Sequence, residues 1–498
     1  MSQRSRRVSW ALLATALVSA AQPASADVTF VGSVSPPDPA PTDTLVVGAG
    51  IEQVGEVLVS NRGRLLSAGA RVGYGQGTGT VEVLGYGASW INSGPLELAS
   101  GPGSRGALVV RRGAQVTTDD LVVGARGYTA EGRVLVEGYD ATLTSRASAH
   151  IGRSEAISAL EVRQGASFFS NHVYLGDCPV CGGAATAAGA HTRWISAGDF
   201  VVGVRGTLVV RDGAELTTVD AALGSPRGDG LDPVARATVS GWGATWTNQG
   251  LLRVGAGSFA GLSVGAYGAL VTDEAVIRSE LGGSFVQVNA PQASWINGGD
   301  VAVLASLSSS PSLLVDRGGL VHIGGLLRTA PRVEGGSLPY LGPSVRLVRG
   351  DLIAGAIEVE EGDLDFAGGR LSTGSFAGDL VNTQGGALLV GGSHPATAVA
   401  GSYRQGPDAA LRITVAGPGA APLLDVDGDV DLDGALEVRA AAGATPFQEG
   451  DTVALLGWSG DLSGAFAAVE IALPLAPGLA WDTSALYTTG EITAVSAP

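Results

Sequence analysis

The sequence contains no lysine, so all 30 of its basic residues are arginine, and methionine occurs once, as the first residue. That bias points to a GC-rich genome rather than to a mechanism. Basic residues are also outnumbered: the net charge of −17 argues against nucleic acid as a partner, because phosphate binding needs a basic face. Aromatic residues make up only 5 % of the chain, and no amphipathic helix of ordinary length is visible. Beyond the N-terminus there is no apolar run long enough to form a transmembrane helix. No phosphate loop, nucleophile elbow or zinc-protease helix appears. The 77 glycines follow no Gly-X-Y period, which excludes collagen, and the 45 % apolar content is too high for disorder.

What is present is a short cassette that recurs through the first two thirds of the chain. Clear copies are Ala107-Leu-Val-Val-Arg-Arg-Gly-Ala-Gln-Val116, Ala159-Leu-Glu-Val-Arg-Gln-Gly-Ala-Ser-Phe168 and Thr207-Leu-Val-Val-Arg-Asp-Gly-Ala-Glu-Leu216. Two apolar positions flank a variable one, a Gly-Ala corner follows, and then comes a further apolar position. A second landmark, an apolar residue followed by Gly, marks each unit: Val122-Val-Gly124, Tyr174-Leu-Gly176 and Val201-Val-Gly203 are examples. Successive copies lie about 25 residues apart, the regime of solenoids, and counting weaker copies gives roughly eleven turns.

Apolar residues alternate within runs of four to six, and Gly, Asn or Asp interrupts each run before a helical face forms. One such unit has a single apolar face and nothing to cover it. Stacking the units buries that face and pairs the backbones from turn to turn. A string of small β-sandwiches is excluded, because this period is too short for an independent core. The sequence therefore predicts an all-β chain: a parallel β-helix (solenoid), a less regular continuation, and a β-rich C-terminal cap.

The expected organisation starts with a signal peptide over residues 1–26. Arg4, Arg6 and Arg7 precede an apolar stretch, and Ala24-Ser-Ala26 fits the small-residue cleavage rule, which predicts a secreted or cell-surface chain cleaved after Ala26. A Pro-rich linker or leading strand covers 27–42, the repeat solenoid 43–329, its irregular continuation 330–417, and the cap 418–498.

The repeat resembles that of the type V secretion / PEP-CTERM-associated repeat proteins, a bacterial exported family with autotransporter-passenger-like β-helices. The resemblance is carried by Leu45-Val-Val-Gly48, Gly79-Thr-Val-Glu-Val83, Gly87-Ala-Ser-Trp90 and Gly241-Trp-Gly-Ala-Thr-Trp246. Phe366-Ala-Gly-Gly-Arg-Leu371, Val399-Ala-Gly-Ser-Tyr-Arg-Gln405 and Gly478-Leu-Ala-Trp-Asp482 are similar to the stretch that follows such repeats. It implies a β-helical, surface-associated protein. The sequence lacks both the translocating barrel of autotransporters and the Pro-Glu-Pro sorting tag, so the resemblance predicts a mature chain that is released or held by partners.

Several residues are candidates for chemistry. Trp90, Trp194, Trp246 and Trp295 open Trp-x-Asn or Trp-x-Ser corners, either as core or as a carbohydrate-stacking stripe; Leu143 and Phe168 at matching positions favour core. Asn at equivalent corners suggests a hydrogen-bonded ladder. Cys178 and Cys181, the only cysteines, are expected as a local disulfide, with free thiols or a zinc site shared with His172 and His191 as alternatives. Asp429, Asp431 and Asp433 match the first positions of a calcium loop but lack its closing carboxylate, so a solvent-facing strand is favoured. The neighbours Asp119-Asp120, Glu360-Glu361 and Arg111-Arg112 point to opposite faces of a strand and select no catalytic pair. The reading is of an exported, non-enzymatic structural or adhesin-like solenoid without cofactor, with polysaccharide, cell-surface or matrix components as partners. A β-helix polysaccharide lyase or hydrolase and a passive extracellular scaffold are the alternatives.

Overall fold

The computed structural model describes residues 27–176, 178, 181–224, 234–278, 283–305, 311–331, 344–360, 363–419 and 421–498. The predicted signal peptide, residues 1–26, lies outside them. The described residues contain no helix, and short strands follow one another along the whole chain. Each turn of the solenoid has three faces. One turn illustrates the pattern: Glu131–Glu137 forms the first face, and Thr142–Ile151 bends so that its two halves form the second and third.

Turns stack in parallel and in register, so inward side chains form columns. On the first face one column runs Leu108, Val134, Leu160, Ala185 and Leu208, each paired directly with the next. The alternation in sequence produces this column: every second residue of a strand points inward, and a one-residue slip would expose the whole set. The result is one long apolar core running from Leu45 to Ala494, with a small separate cluster of Ala99, Ala130 and Ala156.

The second face explains the spacing of the tryptophans. Its inward column reads Leu65, Trp90, Val116, Leu143, Phe168, Trp194, Leu216, Trp246, Leu270 and Trp295. No two indoles are adjacent. Turns are about 4.8 Å apart, and two indoles in neighbouring turns would overfill the cross-section.

The first face is a 14-stranded sheet; its first strand, Asp27–Gly32, is antiparallel, and its last two lie beyond residue 330, where the sequence predicts a less regular continuation of the roughly eleven repeat turns. The texture changes near residues 330 and 418 do not end the solenoid. On the second face, Arg370–Ala377, Ala387–Val390, Ala410–Val415, Ala435–Ala440 and Ala468–Ala472 continue the parallel pairing. Most of the segment expected as a cap is therefore further turns. The capping sheet itself is smaller, three antiparallel strands at Thr452–Ala454, Leu479–Asp482 and Glu491–Ser496. The first face is interrupted once, where the 14-stranded sheet ends at Asp363–Phe366 and a separate 4-stranded sheet starts at Leu380–Asn382.

The N-terminal edge is closed by residues expected as a linker or leading strand. Asp27–Gly32 pairs antiparallel with Val54–Ser60, and Val34–Ser35 pairs antiparallel with the strand Thr44–Ala49. An antiparallel strand occupies the open edge without offering a parallel register for another turn.

Candidate functional site

Where the second face bends into the third, the last inward residue of the second face is polar in every turn from Ser67 to Asn297, after which Ile323 and Ala354 take the position. Ser67, Asn92, Thr118, Ser145, Ser170, Ser196, Thr218, Asn248, Thr272 and Asn297 form this buried column. The Trp-x-Asn motif acts on it. Trp246 Nε1–H donates to Thr218 Oγ1 of the preceding turn (3.0 Å), and Thr218 donates on to Asn248 Oδ1 (2.8 Å). The same pair of bonds joins Trp90, Ser67 and Asn92 (3.0 and 2.7 Å) and Trp295, Thr272 and Asn297 (2.8 and 2.7 Å). Asn92 and Asn248 then close the bend by donating to Gly94 O and Gly250 O (2.6 and 2.8 Å). The expected Asn ladder is thus a mixed Ser/Thr/Asn column, because the asparagines do not fall on consecutive turns.

Trp194 is the exception. Its motif carries Ser196 where the others carry Asn, and Trp194 Nε1 and Ser170 Oγ are both buried without a hydrogen-bond partner. The indole instead packs between Phe168 and Phe200, with ring centroids 5.2 and 5.5 Å away. All four motif tryptophans have no exposed surface. They cannot be a carbohydrate-stacking stripe, since a sugar reaches only an exposed ring face.

The charged candidates are held in turn-to-turn bonds. Arg111 bridges Glu82 and Glu137 of the two neighbouring turns (3.4 and 3.0 Å), and Arg163 joins Glu137 to Glu161 (2.8 and 2.9 Å). Asp119 lies 3.7 Å from Arg146, and Glu360 pairs with Arg328. Other aspartates accept the backbone N–H of the next turn at a corner: Asp120 from Ser148, Asp220 from Leu251, Asp300 from Leu326.

The calcium candidates disperse in the same way. Asp429 Oδ1 accepts from the Asp461 N–H (2.9 Å), Asp431 faces Arg404 (3.3 Å), and Asp433 accepts the Gly434 N–H (2.7 Å). They do not converge on one point. Among the described residues no three His, Cys, Asp or Glu side chains are grouped to hold a metal.

Cys178 and Cys181 are joined as a disulfide, with Cα atoms 5.1 Å apart, in the loop between Ser167–Leu175 and Gly182–Ala188. The bond leaves no thiolate for zinc. His172 Nδ1 accepts the Asp199 N–H (3.1 Å), and His191 lies against Tyr139 at another corner. The His394 ring lies over Gly374, where an added Cβ would sit 3.3 Å from Cδ2, and burial, then His322, lowers its pKa. His394 Nδ1 and Ser372 Oγ are each buried without a hydrogen-bond partner, and no carboxylate is bonded to either.

The exterior carries a feature the sequence reading passed over. At the corner between the first and second faces, turns alternate between a short form and one a residue longer. Short corners place consecutive residues at positive φ: Arg112-Gly113, Gln164-Gly165 and Asp212-Gly213. Long corners hold one residue between two positive-φ positions, so it projects outward: Tyr86 between Gly85 and Gly87, Tyr139 between Gly138 and Asp140, Trp242 between Gly241 and Gly243. Tyr86, Tyr139 and Trp242 are 78 %, 67 % and 76 % exposed. In the long corner between those of Tyr139 and Trp242, Ala190 occupies the matching tip, and the aromatic there is its neighbour His191, 5.9 Å from the Tyr139 ring. The ridge continues to Tyr267, whose ring lies 5.3 Å from Trp242. The signal was available as Gly-Tyr/Trp-Gly/Asp-Ala at residues 85–88, 138–141 and 241–244, with Gly-Ala-His-Thr standing in its place at 189–192.

These features define a parallel β-solenoid whose interior polar groups are largely satisfied between turns and whose aromatic ridge is exposed. No protein-family model matches the chain, and no curated protein shows significant similarity to it.

Proposed function

We propose that the chain is an exported, non-enzymatic solenoid of the cell surface or extracellular space, structural or adhesin-like, which presents its length as a contact face. The observation that carries this reading is the commitment of its charged side chains to the stack. Arg111, Arg163, Glu82, Glu137, Asp120, Asp220 and Asp300 all join one turn to the next, and such a surface favours length and regularity over a reacting pocket. The resemblance to exported repeat proteins and the N-terminal charged–apolar–small pattern support the extracellular assignment.

The test is cell fractionation of the native producer, combined with incubation of the purified chain with neutral and acidic polysaccharides, with and without calcium. The expected result is recovery from the surface or medium and no new reducing or unsaturated ends. Retention inside the cell, or the appearance of new ends, overturns the reading.

A further inference from the structure

Solvent-exposed tryptophan and tyrosine are costly to leave bare, and a line of them at one corner marks a contact surface. Here the line is built by design of the corner rather than by loose packing. Tyr86 and Tyr139 lie against glycines of the following turn: a Cβ added to Gly113 would sit 3.3 Å from the Tyr86 ring, and one added to Gly165 3.0 Å from the Tyr139 ring. Each ring therefore has one face on a glycine floor, so its orientation is fixed before any ligand arrives.

Long corners recur every second turn, a spacing of about 9.6 Å along the axis, twice the distance between paired strands. Between two of them lies a groove of about 510 Å3, lined by Ala190, His191, Asp212, Gly213, Glu215 and Trp242. Gly213 floors it, and His191 and Trp242 flank it. Asp212 and Glu215 stand at its rim, each already beside an arginine, Arg211 at 2.7 Å and Arg193 at 3.6 Å. Their remaining lone pairs are free to accept hydroxyl hydrogen bonds.

We propose that this ridge, from Tyr86 through Tyr139, His191 and Trp242 to Tyr267, binds a neutral, extended polysaccharide. The proposal rests on the adhesin-like reading above and names its ligand class. Aromatic faces attract the C–H faces of flat pyranose rings, and carboxylates at the rim accept sugar hydroxyls. A row of rings along one corner, spread over several turns, suits an extended polymer that touches more than one of them, not a compact ligand. The net charge of −17 disfavours an acidic polymer, which would meet repulsion along the whole rod.

The test uses the purified full chain with cellohexaose and chitohexaose, the corresponding disaccharides, and polygalacturonate as an acidic contrast. Titration calorimetry gives affinity, and thermal melting gives fold integrity. The expected result is binding of a neutral hexasaccharide at least about tenfold tighter than its disaccharide, since several platforms act together. The double variant Tyr139→Ala/Trp242→Ala is expected to weaken hexasaccharide binding about tenfold or more, the equivalent of about 1.4 kcal/mol, with unchanged melting. The inference is overturned if neither neutral hexasaccharide binds, if the double variant binds as well as the native chain, or if polygalacturonate binds better. Fractionation to the surface together with any of these results removes the ridge proposal alone and leaves the adhesin-like reading standing.

Discussion

Trp242 and Trp246 are four residues apart in one turn, yet one is 76 % exposed and the other has no exposed surface. They belong to two regions built from the same repeat. The inner columns of the second face bury four indoles and satisfy three of them, Trp90, Trp246 and Trp295, with a hydroxyl of the preceding turn. The outer ridge, at the preceding corner, leaves aromatic rings bare. The difference teaches that residue type does not assign a role in a solenoid; position in the turn does. Inward residues are constrained by volume and by hydrogen bonding, whereas a corner tip is constrained only by backbone conformation.

The largest expected effect separates the two regions directly. Trp246→Ala should cost about 3–5 kcal/mol through the cavity it opens. Trp242→Ala should change stability by less than about 0.5 kcal/mol. Guanidinium unfolding midpoints of the two variants check this, and equal shifts would break the comparison.

A smaller effect sharpens it within the inner column. Thr218→Val removes the partner of both Trp246 Nε1 and Asn248 Oδ1 and should cost about 1–3 kcal/mol. Ser170→Ala should be close to neutral, because Ser170 Oγ and Trp194 Nε1 are already unpaired. Ser196→Asn supplies the missing acceptor for Ser170 Oγ–H, which leaves the Ser170 oxygen to accept from Trp194 Nε1, and should raise the midpoint, by the equivalent of about 1 kcal/mol. A destabilised Ser196→Asn would show that Phe168 and Phe200, not the missing Asn, set the Trp194 orientation.

The smallest effect concerns the later turns, where the buried polar residues move to the corner after the first face as Asn382 and Gln405. Tyr403, fully buried there, donates to Gln405 Oε1 (2.8 Å), and burial pushes its pKa well above the ordinary tyrosine value. A raised folded-state pKa gives stability that is complete below the unfolded value of about 10 and is lost as pH climbs above it. The melting temperature should therefore fall above about pH 10, and less steeply in Tyr403→Phe. An identical alkaline slope in that variant would exclude Tyr403 as the titrating group.

Much of the fold was legible because a solenoid is close to one-dimensional. The alternation in Glu131–Glu137 or Arg105–Arg111 states which residues point inward, and the repeat distance states that the next turn covers them. The extent of the stack was harder to read. Beyond residue 330 the sequence signals weaken, but Ala387–Val390 and Ala410–Val415 still pair in register, because backbone pairing needs no particular side chains. The candidate site was read least well. Trp-x-Asn was visible as a motif, but its partners, Ser67, Thr218 and Thr272, lie 23 to 28 residues earlier, and nothing local marks them.

The sequence by itself determined the class of structure, the inward columns and the strand-by-strand direction of every alternating side chain, because period-two patterning and a fixed repeat leave one way to bury the apolar set. Only the tertiary structure decided which polar groups meet across turns and which aromatics stay in water. Those outcomes depend on the register between turns and on one extra residue at alternate corners, where φ and neighbour distance, not composition, fix the direction of a side chain.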